Sequence, residues 1–253
     1  MGFLASVTYR GVDWIFVPTT LLSQGDSCIG SKTSINFGEF KNQMGTFYPP
    51  KEIVIDTRFL NTIGERERRS GIGEMLHYFL LGGSDTYSTF KRLHGSALKG
   101  DEQALRDIIV RSLEIKKSFI EKDEFENGTR KLLNYGHTFG HAIETMTAFS
   151  IPHGIAVAHG MNISNFVSHK LGMIDEAHYN EVKGIIKNIA GTEQIRGFSL
   201  DTYISALKKD KKNTQRGINV VLSSGFGEMS LKEMSANGIL VEILQEYFER
   251  ENL

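Results

Sequence analysis

The sequence predicts a short α/β segment followed by a mainly α-helical domain. Three observations lead there. The runs Asp13-Trp14-Ile15-Phe16-Val17 and Glu52-Ile53-Val54-Ile55-Asp56, bounded by Pro18 and entered through Pro49-Pro50, read as strands. From Thr57 onward the apolar residues recur at helical spacing. Late in the chain, Gly217-Ile218-Asn219-Val220-Val221-Leu222 and Gly227-Glu228-Met229-Ser230-Leu231 flank a Ser-Ser-Gly turn and predict a hairpin. The boundary falls between residues 1–58 and 59–253.

In chain order, Met1 to Val7 reads as a helix that starts without a visible cap. Residues 25–33 read as a small loop with two glycines, closed by Lys32-Thr33. Candidate helices then cover 66–80, 85–95, 102–122, 129–148, 153–171, 175–190, 199–209 and 231–249. A segment of two strands does not cover both faces of a sheet. It is therefore expected to be the C-terminal part of a larger α/β domain truncated at its N-terminus.

A formal net charge of −1 gives no global basic field for nucleic acid or an anionic membrane surface. No apolar run reaches the length of a membrane span, and residues 1–10 lack a signal-peptide pattern. The single cysteine, Cys28, cannot form an internal disulfide and reads as a small buried side chain, so a cytoplasmic setting is expected.

The chemistry-bearing stretch is Gly136-His137-Thr138-Phe139-Gly140-His141, with His153 following a Ser-Ile-Pro break. On a helix His137 and His141 share a face, and a second helix starting near His153 can bring a third imidazole back to them. Three histidines beside glycines suggest a metal site; two solvated helix histidines are the plainer alternative. The Gly-Ser-Lys-Thr step at 30–33 resembles a P-loop, but the required upstream glycine is missing. What remains is a loop able to hold a phosphate or carboxylate. The run Lys208 to Lys212 reads as a solvated helix end.

Several stretches together resemble the 3-dehydroquinate synthase and wider sugar-phosphate cyclase family. They are Tyr9-Arg10-Gly11, Val17-Pro18-Thr19-Thr20-Leu21-Leu22, Asp26 to Thr33, Lys41-Asn42, Gly73-Glu74, and Arg130-Lys131-Leu132-Leu133-Asn134-Tyr135-Gly136-His137, running on to His153-Gly154. The resemblance implies a truncated dehydroquinate-synthase-like fold, with the site between an NAD-binding domain and a helical domain. It implies Glu74, His137 and His153 as ligands of zinc (or cobalt or iron), with His141 handling protons beside them. That replaces the His137/His141 pair as the ligand pair.

It further implies that Lys32, Lys116, Arg130 and Asn134 act in catalysis. Arg10, Lys41, Asn42 and Lys211 would bind a phosphorylated small-molecule substrate, with Arg10 reaching across a homodimer. Thr19, Thr20, Asp26 and again Lys32 would lie by the NAD nicotinamide. In that family NAD oxidises a substrate hydroxyl, the ketone acidifies its neighbour, phosphate leaves, the hydride returns, and an aldol step closes a ring.

Three departures stand against this pattern. The glycine-rich pyrophosphate turn is not found, so weak NAD binding and an inactive chain are expected. His77 stands where the family's dehydroquinate synthases carry lysine. His153-Gly154-Ile155 replaces the usual His-Gly-Glu. These departures suggest a divergent cyclase; the alternatives are a related metal-dependent alcohol dehydrogenase or a non-catalytic remnant binding a partner.

Overall fold

The structure is a computed structural model and describes residues 1–37, 40–193, 195, 199–209, 217–235 and 238–251; the side chains of Phe40, Lys41 and Lys209 lie outside that description. The N-terminal part holds a short helix α1 (Gly2–Val7) and strands β1 (Ile15–Phe16), β2 (Lys32–Phe37), β3 (Phe40–Phe47) and β4 (Glu52–Ile53). As its sequence suggested, α1 has no side-chain cap. β1 and β4 pair in parallel, Ile15 opposite Glu52 and Phe16 opposite Ile53. β2 and β3 form an antiparallel hairpin with Thr33 opposite Thr46.

That hairpin corrects the reading of 25–33 as a loop. A π-helical turn occupies Ser23–Ser27, and a strand already begins at Lys32. Thr33, Ile35 and Phe37 alternate along it with high β propensity.

The helical part contains α2 (Glu65–Leu81), α3 (Ser84–Leu98), α4 (Glu102–Lys122), α5 (His137–Met146), α6 (His153–Lys170), α7 (Glu176–Ala190) and α8 (Leu200–Lys209). Strands β5 (Ile218–Gly225) and β6 (Glu228–Met234) and helix α9 (Ile239–Glu251) follow. Aspartates set two helix starts: Asp101 accepts from Ala104 N–H at 2.8 Å, and Asp175 from His178 N–H at 2.8 Å.

Two predicted helices are redrawn. The stretch 129–148 is divided, because Thr129–Asn134 is a 3-10 turn and Gly136 takes a left-handed φ of 79° before α5 begins. The stretch 231–249 starts later, at Ile239, because Leu231 and Met234 pair in the hairpin with Val221 and Ile218.

α6 is buried nearly all round and lies between two hydrophobic clusters. One gathers Phe139, Ile143, Phe166, Tyr203 and Leu244; the other gathers Ile72, Phe79, Phe90, Ile108 and Met161. Backbones touch where α6 crosses its neighbours. A Cβ on Gly154 would lie 1.8 Å from the Ser70 carbonyl oxygen of α2, and one on Gly160 would lie 2.0 Å from the Gly136 carbonyl oxygen before α5. These close crossings bring the middle of α2 and the first turns of α5 and α6 to one point. Among the described residues, no helix is long and apolar enough to cross a membrane.

Candidate metal centre and active site

Glu74 lies in the buried middle of α2, and His137 and His153 are the first residues of α5 and α6. Local sequence sets both helix starts. The left-handed Gly136 turns the chain into α5, while extended Pro152 precedes α6, whose Gly154 N–H donates to Ser70 Oγ at 3.0 Å. Nε2 of His137 is 3.3 Å from Glu74 Oε1, and Nε2 of His153 is 3.5 Å from Glu74 Oε2. Their ligand atoms all lie within 4.8 Å of one another.

His141 falls elsewhere. It groups with Glu144 and His153 rather than with Glu74 and His137, so the compact triplet is not the His137/His141 pair that helical spacing first suggests. Its ring nonetheless lies 5.6 Å from that of His137 and 5.9 Å from that of His153.

Burial alone would raise the pKa of Glu74, but the imidazoles of His137, His153 and His77 outweigh it and hold the carboxyl well below its usual range. Burial lowers the pKa of His137 against the pull of Glu74. Near neutral pH the cage therefore presents an ionised carboxylate, the state in which it can ligate a divalent cation. The Glu74 Oε2 atom is buried without a hydrogen-bond partner. One carboxylate and two imidazole nitrogens form a donor set suited to zinc with a coordination position left open. The residues fit the cation that the resemblance implies.

His77 is buried beside this cage. Its Nδ1–H donates to the Glu74 carbonyl at 2.5 Å, and its pKa is pushed down to about 4, chiefly by desolvation. A histidine whose folded pKa lies below its unfolded 6.5 contributes stability that is fully present above pH 6.5 and lost as pH falls toward 4. Urea unfolding in chelator should therefore give a lower free energy at pH 5 than at pH 6.5, by roughly 2 kcal/mol from this group. Replacing His77 with asparagine should flatten that slope; equal stability of the parent chain at both pH values would contradict the assignment.

A second cluster centres on Asp26. Lys116 Nζ donates to its Oδ1 at 2.8 Å and to its carbonyl at 2.7 Å, and Tyr78 Oη donates to the same Oδ1. Burial would raise the Asp26 pKa, but the Lys116 charge together with the hydrogen bonds from Lys116 and Tyr78 outweighs it, and the net shift is downward. Asp26 and Lys116 are thus joined in one buried pair. Cys28 is buried close by, and desolvation pushes its thiol up to about 11, so it is no thiolate nucleophile.

A third cluster holds Lys32, Asn134 and Arg130. Lys32 pairs with the Glu126 carboxylate, whose Oε1 accepts from Asn134 Nδ2 at 2.7 Å. Arg130, only 3% exposed, donates to the carbonyls of Gly30, at 3.0 Å, and Glu124. This ties Gly30, just before β2, to the segment before α5.

The remaining predicted residues stand apart. Arg10, with φ 67°, and Thr19 and Thr20 are exposed; Thr20 Oγ1 bonds Ser23. Asn42 accepts from Ser34 Oγ at 2.6 Å on the β2–β3 hairpin. Lys41 lies on β3 with its side chain outside the described residues, and Lys211 falls outside them altogether.

Sequence reasoning missed four participants. Tyr78 and Glu126 carry no local signal. Glu144 could have been found as the i+3 neighbour of His141 on one helix face. Asp123 shapes the loop before Arg130, accepting from the N–H groups of Asn127, Gly128 and Arg130 at 2.9, 2.7 and 3.0 Å, a turn role that the Asn127-Gly128 step four residues on signals.

Three crossing helices thus bring together a carboxylate and two imidazoles, a class of site that could hold a metal ion. Comparison with known proteins names the family. The family model described as 3-dehydroquinate synthase C-terminal matches residues 71–213, and the one described as 3-dehydroquinate synthase N-terminal matches residues 1–70. The 3-dehydroquinate synthase of Alkaliphilus metalliredigens is 39% identical over 229 residues, covering 90% of this chain and 64% of the relative. That of Caldanaerobacter subterraneus subsp. tengcongensis is 36% identical, covering 94% and 67%.

Among solved structures, the 2-epi-5-epi-valiolone synthase of Streptomyces hygroscopicus subsp. jinggangensis, with NAD+ and Zn2+ bound, superposes with a TM-score of 0.85 at 26% identity, covering 98% of this chain and 70% of that one. A 2-deoxy-scyllo-inosose synthase shares the fold at a TM-score of 0.84 and 24% identity, covering 99% and 70%. The chain belongs to the 3-dehydroquinate synthase family. It spans about two thirds of the length of these relatives (64% for the first).

Proposed function

We propose that this chain supplies the cation- and substrate-binding part of a sugar-phosphate cyclase, acting on a phosphorylated sugar acid or sugar phosphate with NAD and loss of phosphate. The convergence of Glu74, His137 and His153 carries this reading. Its support in relatives is the NAD+ and Zn2+ bound by the valiolone synthase and the synthase activity named for the curated relatives. A bound zinc would supply Lewis acidity toward a substrate oxygen, and NAD would supply reversible hydride transfer.

The chain's own residues do the rest. Glu74, His137 and His153 hold the cation, while Lys32, Asn134 and Arg130 bind the anionic and hydroxyl groups of the substrate in one orientation. Glu126 bridges Lys32 and Asn134, and a substrate anion would compete with its carboxylate for both. His141, one helical turn from His137, is placed to take or give a proton at a bound hydroxyl. Lys116 donates to Asp26 Oδ1 and favours its ionised form, and by the family resemblance Asp26 would lie near the nicotinamide half of NAD. Arg10 is exposed, as a residue reaching across a homodimer would be.

The test is incubation of the cation-loaded chain, at saturating NAD+, with phosphorylated sugar acids and sugar phosphates, following inorganic phosphate and nicotinamide absorbance together. Phosphate release without net nicotinamide reduction is the expected result. Net NADH formation with phosphate retained would contradict the cyclase reading and favour an alcohol dehydrogenase.

A further inference from the structure

The Glu144 carboxylate is only 4% exposed and lies on α5, three residues past His141. Its Oε1 is 3.1 Å from Nδ1 of His153, while Nε2 of the same ring faces Glu74 at 3.5 Å. His153 therefore stands between two buried carboxylates, one at each nitrogen. A neutral imidazole carries a single N–H, and which nitrogen bears it decides whether Nε2 has a lone pair to offer. The Nδ1–Oε1 contact is at ion-pair distance, and this proximity to a buried carboxylate carries the argument.

We propose that Glu144 is a positioning residue: it holds the Nδ1 proton of His153, fixing the tautomer and ring angle that present Nε2 to a cation beside Glu74 and His137. The inference rests on the cation reading of that site. A carboxylate on the far nitrogen of a ligating histidine orients the ring and raises its basicity, and losing such a partner costs about 10–100-fold in metal affinity. Glu144 also groups with His141 and His153 within 4.8 Å, an arrangement that could instead make it a direct ligand of a separate ion. The experiment separates the two.

The full chain, Glu144→Ala and Glu144→Gln are titrated with cobalt(II), reading affinity and stoichiometry by calorimetry and ligand field by visible absorption. Glu144→Ala should bind about 10–100-fold more weakly at unchanged stoichiometry. Glu144→Gln, whose amide oxygen still accepts the Nδ1 proton, should recover a large part of that loss and shift the cobalt bands from the parent position. Circular dichroism and melting in chelator should match the parent, which a purely structural role would not allow.

Parent-like affinity in Glu144→Ala, or loss of one of two bound ions, would overturn the proposal. Should the alanine variant fail to fold, parent-like cobalt bands and affinity in Glu144→Gln would overturn it. A parent chain that binds no cobalt overturns the cation reading itself, and the proposal with it; a parent that binds while the variants are unchanged overturns this proposal alone.

Discussion

Replacing Glu74 with glutamine is expected to weaken zinc or cobalt binding by more than about a hundredfold, since even a partner of a ligating residue is worth about 10–100-fold. The same change should also cost the cation-free fold some stability, because the folded chain holds the Glu74 carboxyl well below its usual range and so favours its ionised form. A cation widens the gap, because the parent gains roughly 2.7 kcal/mol at a cation concentration 100 times its Kd and the variant gains almost nothing. Thermal melts with chelator and with zinc should show a zinc-dependent rise of about 5–10 °C in the parent and none in Glu74→Gln. Equal rises in both would place the cation elsewhere.

Gly154→Ala is expected to be the most damaging single-methyl change near the site. The added Cβ would lie 1.8 Å from the Ser70 carbonyl oxygen and 2.8 Å from the Glu74 nitrogen. Both are backbone atoms of a buried helix, so no rotamer change relieves the clash and α6 must move away from α2. The helix carries His153 with it, one residue before the substitution. A cost of about 3 kcal/mol or more is expected, lowering the melting temperature by about 6–12 °C, together with a loss of cation affinity that a remote core mutation of equal cost would not show. Gly184→Ala is the control: its Cβ would meet nothing within 4 Å, and it should be neutral or mildly stabilising. A parent-like melting curve for Gly154→Ala would contradict the helix crossing described here.

The legibility of this chain in its sequence followed the range of the forces involved. Helices α2, α3, α4, α6 and α7 stood out because their starts and stops are local: Asp101 and Asp175 cap, and Pro152 introduces α6. Boundaries failed where pairing partners decide, as at Leu231 to Met234, whose apolar spacing suits a helix until β5 is placed beside it. The break at Gly136 was missed because a left-handed glycine in an apolar helical pattern looks like a tolerated interior glycine.

The site shows the same division. His137, His141 and His153 were visible as a pattern, whereas Glu74 was recognised only through the family resemblance, since an acidic residue in a helix ordinarily reads as solvated. Glu126, Glu144 and Tyr78 enter through contacts of the folded chain that the sequence reading did not reach.

The central claim is that Glu74, His137 and His153 bind a single divalent ion. Crystals grown with zinc, with diffraction recorded on both sides of its absorption edge, test it most directly. The account predicts one anomalous peak about 2.0–2.2 Å from a Glu74 carboxylate oxygen and from Nε2 of both histidines. A peak held by His141, Glu144 and His153 with Glu74 out of reach, or no peak in this cage at saturating zinc, would contradict it.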